Sequence, residues 1–91
     1  MNARPRRIVV RVTHHRRGSP AAPHLRWRVR CPAPYVDRWY PSQAAAVERA
    51  VMDARFLMIG SLHPAQVILH GKSGRVRWER TYGADPKRHR G

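Results

Sequence analysis

Residues 42–60 read Ser42-Gln43-Ala44-Ala45-Ala46-Val47-Glu48-Arg49-Ala50-Val51-Met52-Asp53-Ala54-Arg55-Phe56-Leu57-Met58-Ile59-Gly60, and they hold the one helical period in the chain. Val47, Ala50, Val51, Ala54, Leu57 and Met58 recur at i, i+3, i+4 spacing, which lines them along one face. Gln43, Glu48, Arg49, Asp53 and Arg55 fall largely off that stripe. Ser42 suits a helix cap, because its hydroxyl accepts an otherwise unpaired amide of the first turn. Gly60 suits the left-handed position that ends a helix, and Pro64 follows shortly after. The spacing predicts a helix from about Gln43 to Ile59.

On the N-terminal side the pattern changes to a period of two, the mark of a strand with one buried face. In residues 24–30, Leu25, Trp27 and Val29 alternate with His24, Arg26, Arg28 and Arg30. In residues 8–13, Ile8, Val10 and Val12 alternate with Val9, Arg11 and Thr13. Residues 14–23 read as a loop broken by Gly18, Pro20 and Pro23. Residues 31–41, with three prolines and three aromatics, read as an ordered loop.

On the C-terminal side, residues 65–70 predict a strand, and Gly71-Lys72-Ser73-Gly74 a tight turn with glycines where positive φ is needed. Residues 75–82 predict a further strand, with Val76, Trp78 and Tyr82 inward and Arg75, Arg77, Glu79 and Thr81 outward. The order is ββαββ. This is an α+β domain over residues 8–82, a four-stranded antiparallel sheet with one helix packed on one face. Residues 1–7 read as a flexible basic arm and 83–91 as a basic tail. A single helix leaves the other sheet face open.

The chain has 91 residues, 19 Lys+Arg against 5 Asp+Glu, and a formal charge of +14. Charge of this size selects partners rather than fold, and it points to a polyanion. Cys31 is the single cysteine, which excludes an intrachain disulfide framework. No apolar run reaches the ~18–20 residues that span a bilayer. No apolar segment of a secretory signal follows Arg4, Arg6 and Arg7, so the expected location is cytoplasmic, with no membrane partner.

Chemistry-bearing constellations are sparse. Gly71-Lys72-Ser73 resembles the end of a phosphate-binding loop, but the earlier glycine is missing and a strand follows instead of a helix. The six histidines and Cys31 show no zinc-ligand spacing. No nucleophile-base pair is selected by spacing, and Asp37, Glu48, Asp53, Glu79 and Asp85 read as local charge partners or turn residues. The expectation is a protein with no enzymatic activity, no cofactor and no metal.

At the last two strands the sequence resembles a known family. His70-Gly71-Lys72-Ser73-Gly74-Arg75, then Tyr82-Gly83-Ala84-Asp85-Pro86, together with Trp27-x-Val29 and Ser42-Gln43-Ala44-Ala45-Ala46, is similar to the small bacterial and phage family called domain of unknown function 2188. The resemblance covers roughly residues 24–86. It implies a ββαββ fold and carries no activity with it. Ser73 stands where that family commonly has aspartate, and the stretch from Cys31 to Pro41 is longer and more aromatic than its pattern.

The period-two reading puts Arg26, Arg28 and Arg30, with Arg75, Arg77 and Arg11, on the open sheet face. Guanidinium groups fit phosphate oxygens with a planar fork of donors. Arg16 and Arg17 of the 14–23 loop, together with both termini, extend the same surface. The expected function is sequence-independent binding of the DNA or RNA backbone. Tyr35, Trp39 and Tyr40 are candidates for stacking on bases or docking in a partner, set against a simpler role of folding back on the core. The alternative function is a protein-interaction module that docks on an acidic protein surface, or self-associates as a homodimer. Set against both is the simpler alternative that the arginines are only a solvated, aggregation-blocking surface.

Overall fold

The computed structural model describes residues 8–32, 35–60 and 64–83. The arm, the residues from Ala84 onward, and the side chains of Tyr35, Leu57 and Met58 lie outside the described residues. Six elements follow in order: β1 (Ile8–His14), β2 (Trp27–Pro32), β3 (Tyr35–Tyr40), α1 (Gln43–Gly60), β4 (Ala65–His70) and β5 (Val76–Tyr82). They form a five-stranded sheet in the order β3-β2-β1-β4-β5. The β1–β4 pair is parallel and the other three pairs are antiparallel.

The α+β class and the single helix agree with the sequence reading. The expected four-stranded antiparallel sheet is corrected to five strands and a mixed sheet. The reason lies in residues 31–41. Pro34 precedes β3 and Pro41 follows it, so neither proline removes a ladder hydrogen bond from within the strand. Val36, Arg38 and Tyr40 alternate with Tyr35, Asp37 and Trp39, and their partners in β2 run from Pro32↔Tyr35 to Trp27↔Tyr40.

The extra strand changes the path of everything after it. Three strands before the helix, rather than two, bring the chain to the end of the sheet where β1 finishes. The helix therefore starts at that end and runs back along the sheet. β4 then runs parallel to β1, as the β1–β4 register from Ile8↔Ala65 to Val12↔Leu69 shows. The β1–β2 connection, the start of α1 and the β4–β5 turn all share one end of the sheet.

The core lies between α1 and one sheet face. Val10, Val12, Trp27, Val29, Cys31, Ala65, Val67 and Leu69 supply the sheet side, and Ala46, Ala50 and Ala54 the helix side, all buried. Three alanines one turn apart let the helix axis come close to the sheet, where a larger side chain would hold it off. Val47 and Val51 flank them, half-buried. Ser42 caps α1 as expected: its Oγ accepts the Ala45 amide at 3.1 Å.

The β1–β2 connection is ordered by its own backbone. His15 N donates to Arg26 O at 2.8 Å, Ser19 N to Leu25 O at 2.9 Å and Gly18 N to His15 O at 3.0 Å. Gly18 has φ +75°, and a Cβ there would sit 2.1 Å from the Pro23 carbonyl oxygen, so glycine is required twice over. β2 begins at Trp27, which leaves Leu25 and Arg26 in this connection rather than in a strand.

β5 departs from its expected register. Trp78 pairs with Leu69, but Val76 pairs with His70, so a bulge falls between them. The bulge reverses the alternation at the start of the strand. Val76, expected inward, is 48% exposed. Trp78 remains on the helix side, half-buried, with the Arg80 guanidinium 5.1 Å from its ring centroid.

Candidate nucleic-acid interface

The six arginines expected on one open face are divided by the structure. Cross-strand partners share a face, so Arg11, Arg28 and Arg30 lie opposite the helix, as expected. Arg26 precedes β2 and is exposed in the connection. Arg75 and Arg77 are corrected: the bulge turns them away from that face, and both line a cleft beside the start of α1.

On the open face the arginine charge is partly committed. Arg28 donates twice to the Asp37 carboxylate, Nε to Oδ1 at 2.7 Å and Nη2 to Oδ2 at 2.6 Å. Such a paired fork holds both partners in one geometry. Arg28 also lies 5.1 Å from the Trp39 ring centroid. The His15 ring meets the same indole edge-on at 5.0 Å, and its Nε2 is 2.8 Å from Thr13 Oγ1. Trp39 is thus half-covered on the open face, while Tyr40 packs against the core from the other side. Folding back on the core holds for Tyr40 and not for Trp39.

Arg11 reaches His70, Nη1 to Nε2 at 3.2 Å, and His70 Nδ1 is 3.0 Å from the Gly74 carbonyl. Arginine only donates and a carbonyl only accepts, so the imidazole carries its proton on Nδ1 and accepts at Nε2. Gln66 donates to Glu79 at 2.8 Å on the same face. The open face is therefore a mixed surface, with Arg11 and Arg30 directly opposed across β1 and β2.

The concentration of charge lies elsewhere, at the end where β1 finishes. Arg16, Arg17 and Arg26 come from the β1–β2 connection, and Lys72, Arg75 and Arg77 from the β4–β5 turn and its bulged strand. Residues 14–26, 38–47 and 70–78, which supply this end, contain no Asp or Glu. The helix start adds partial positive charge from its unpaired amides, and its first turn holds no acidic residue.

Two histidines register the field. The pKa of His14 is lowered by burial first, then by Lys72 and Arg26. That of His15 is lowered by burial first, then by Arg28, His14 and Arg30, with Asp37 opposing. Residues 70–75 fold tightly: Gly71 N donates to Arg75 O at 2.8 Å, Gly74 N to Gly71 O at 3.0 Å, and Gly74 takes φ +93°. Gly71 needs no positive φ, and the Arg77 stem passes 3.1 Å from where a Cβ on it would be.

Sequence reasoning missed Lys72, set aside with the turn, and the start of α1. Only the strand count before the helix places them beside Arg75 and Arg77. Among the described residues no three His, Cys, Asp or Glu side chains gather as a metal-holding group, and no helix is long and apolar enough to cross a membrane.

These features define a small α+β domain with one helix on a mixed sheet and one strongly basic end. The chain belongs to the family described as "Uncharacterized protein conserved in bacteria (DUF2188)", which matches residues 12–82. The family resemblance read from the last two strands is thereby shown, and the match extends back through the β1–β2 connection into β1. No curated protein and no solved structure matches the chain.

Proposed function

We propose that the protein is a non-enzymatic nucleic-acid-binding domain that holds backbone phosphates with the basic end of its sheet. The observation that carries this is the convergence there of Arg16, Arg17, Arg26, Lys72, Arg75 and Arg77 in segments without a carboxylate. Gathered at one end of the sheet, these cations repel one another, and an incoming polyanion relieves that repulsion while releasing its own counterions. Arg11 and Arg30 extend the contact along the open face, whereas Arg28 is engaged by Asp37. Phosphate contacts position a protein without reading bases, so sequence preference is small.

The test is a fluorescence-anisotropy titration with random duplex and single-stranded oligonucleotides at 50 and 200 mM salt. For a site that meets about six phosphates of duplex DNA, log K falls with log salt at a slope of about −5. An absence of binding at 50 mM salt overturns the reading and directs the search to an acidic protein surface.

A further inference from the structure

The cleft at the basic end has a volume of about 740 Å³. The cleft is broadly open to solvent, and its volume exceeds what one phosphate group fills. Lys72, Arg75 and Arg77 line it together with Ser42 and Gln43, where α1 begins, and the buried Trp27. The lining holds three cations and no carboxylate.

We infer that this cleft seats a phosphomonoester, the terminal phosphate of a nucleic-acid strand or of a free nucleotide. The inference rests on the polyanion reading and sharpens it to one group at one place. A backbone phosphate carries a single charge and has chain on both sides. A monoester carries about −1.5 to −2 at neutral pH and has three free oxygens. An open cleft with three cations in its lining suits the group with more charge and one attachment. The bulge in β5 is what makes the site, because regular alternation would have left Arg75 and Arg77 on the other face.

Two oligonucleotides of one sequence, with and without a 5′-phosphate, separate this inference from general binding. Lys72 and Arg75 are exposed, so Lys72→Gln/Arg75→Gln removes charge without touching the core, and Arg77, whose stem packs on Gly71, is left in place. Circular dichroism checks the fold of each variant. The 5′-phosphorylated strand is expected to bind roughly tenfold tighter than its 5′-hydroxyl twin, the scale of one charge-assisted contact. The ratio falls to about one in Lys72→Gln/Arg75→Gln and persists in Arg16→Gln/Arg17→Gln, which only weakens both strands. Calorimetry with a nucleoside 5′-monophosphate tells the sources apart: binding that Lys72→Gln/Arg75→Gln abolishes extends the site to free nucleotides. If both strands bind wild type equally, the phosphate seat is wrong and the polyanion reading stands. If the nucleotide alone binds, the seat stands and strand binding is wrong. If none binds, both fall.

Discussion

Asp37 governs how much arginine charge the open face presents. Its carboxylate takes both donors of Arg28, with side chains 25% and 18% exposed for Arg28 and Asp37. Partial burial keeps this pair less screened than an ordinary surface ion pair. Asp37→Asn is expected to cost about 1–2 kcal/mol in urea denaturation. It also releases a guanidinium beside Arg30, so oligonucleotide affinity rises and the salt slope steepens by up to about one. A variant that loses affinity while staying folded would contradict this assignment of Arg28.

His14 and His15 set the response to pH at the same scale. Both have folded-state pKa values lowered from the ordinary 6.5, by burial first and then by neighbouring cations. A group whose folded pKa is lowered takes up its proton more readily in the unfolded chain. Its contribution is intact above the unfolded value and is lost as pH falls below about 6.5 towards the folded pKa. Urea midpoints at constant ionic strength are therefore expected to fall between pH 7.5 and 5.5. A midpoint that stays level or rises on acidification would show that these histidines do not feel the field described.

Among the elements, α1 is the most dependent on small residues. Ala46, Ala50 and Ala54 are all fully buried against the sheet. Ala50→Leu is expected to destabilise by about 1–3 kcal/mol through overpacking, read as a lower Tm. An unchanged Tm would mean the helix stands further from the sheet than these side chains indicate. The helix was legible in the sequence because capping and period agree: Ser42 caps it, and Ala50, Val51 and Ala54 do face the core. β1, β4 and the turn at Gly74 were legible for the same reason. β3 was not, because prolines at its borders and aromatics on both faces resemble a loop. Asp37 and Trp39 on one side and Arg38 and Tyr40 on the other show no apolar-polar alternation for period-two reading to find. The bulge in β5 was illegible for a different reason. It depends on how two strands pair, which neither strand's own sequence expresses.

For the whole molecule, the consequence of β3 is the distribution of charge. Two strands before the helix would have sent the β1–β2 connection and the final hairpin to opposite ends of the sheet. With three, Arg16, Arg17, Arg26, Lys72, Arg75 and Arg77 meet at one end, together with the helix start. The nearest acids along the chain, Asp37, Glu48 and Glu79, lie outside the segments that form that end. Ile8 and Tyr82, from which both termini depart, are at the other end, through their shared partner Ala65. The net charge of +14 is thus arranged as well as abundant. Composition sets the amount of charge, but where that charge gathers depends on topology.

The most direct test of a basic-end interface is to compare the salt dependence of oligonucleotide binding for wild type, Arg16→Gln/Arg17→Gln/Lys72→Gln/Arg75→Gln and Arg11→Gln/Arg30→Gln. The expected result is a slope near −5 for wild type, reduced by about four units in the first variant and by no more than about two in the second. Binding by the fourfold variant at wild-type strength and slope, or wild-type binding that does not weaken between 50 and 200 mM salt, would contradict it.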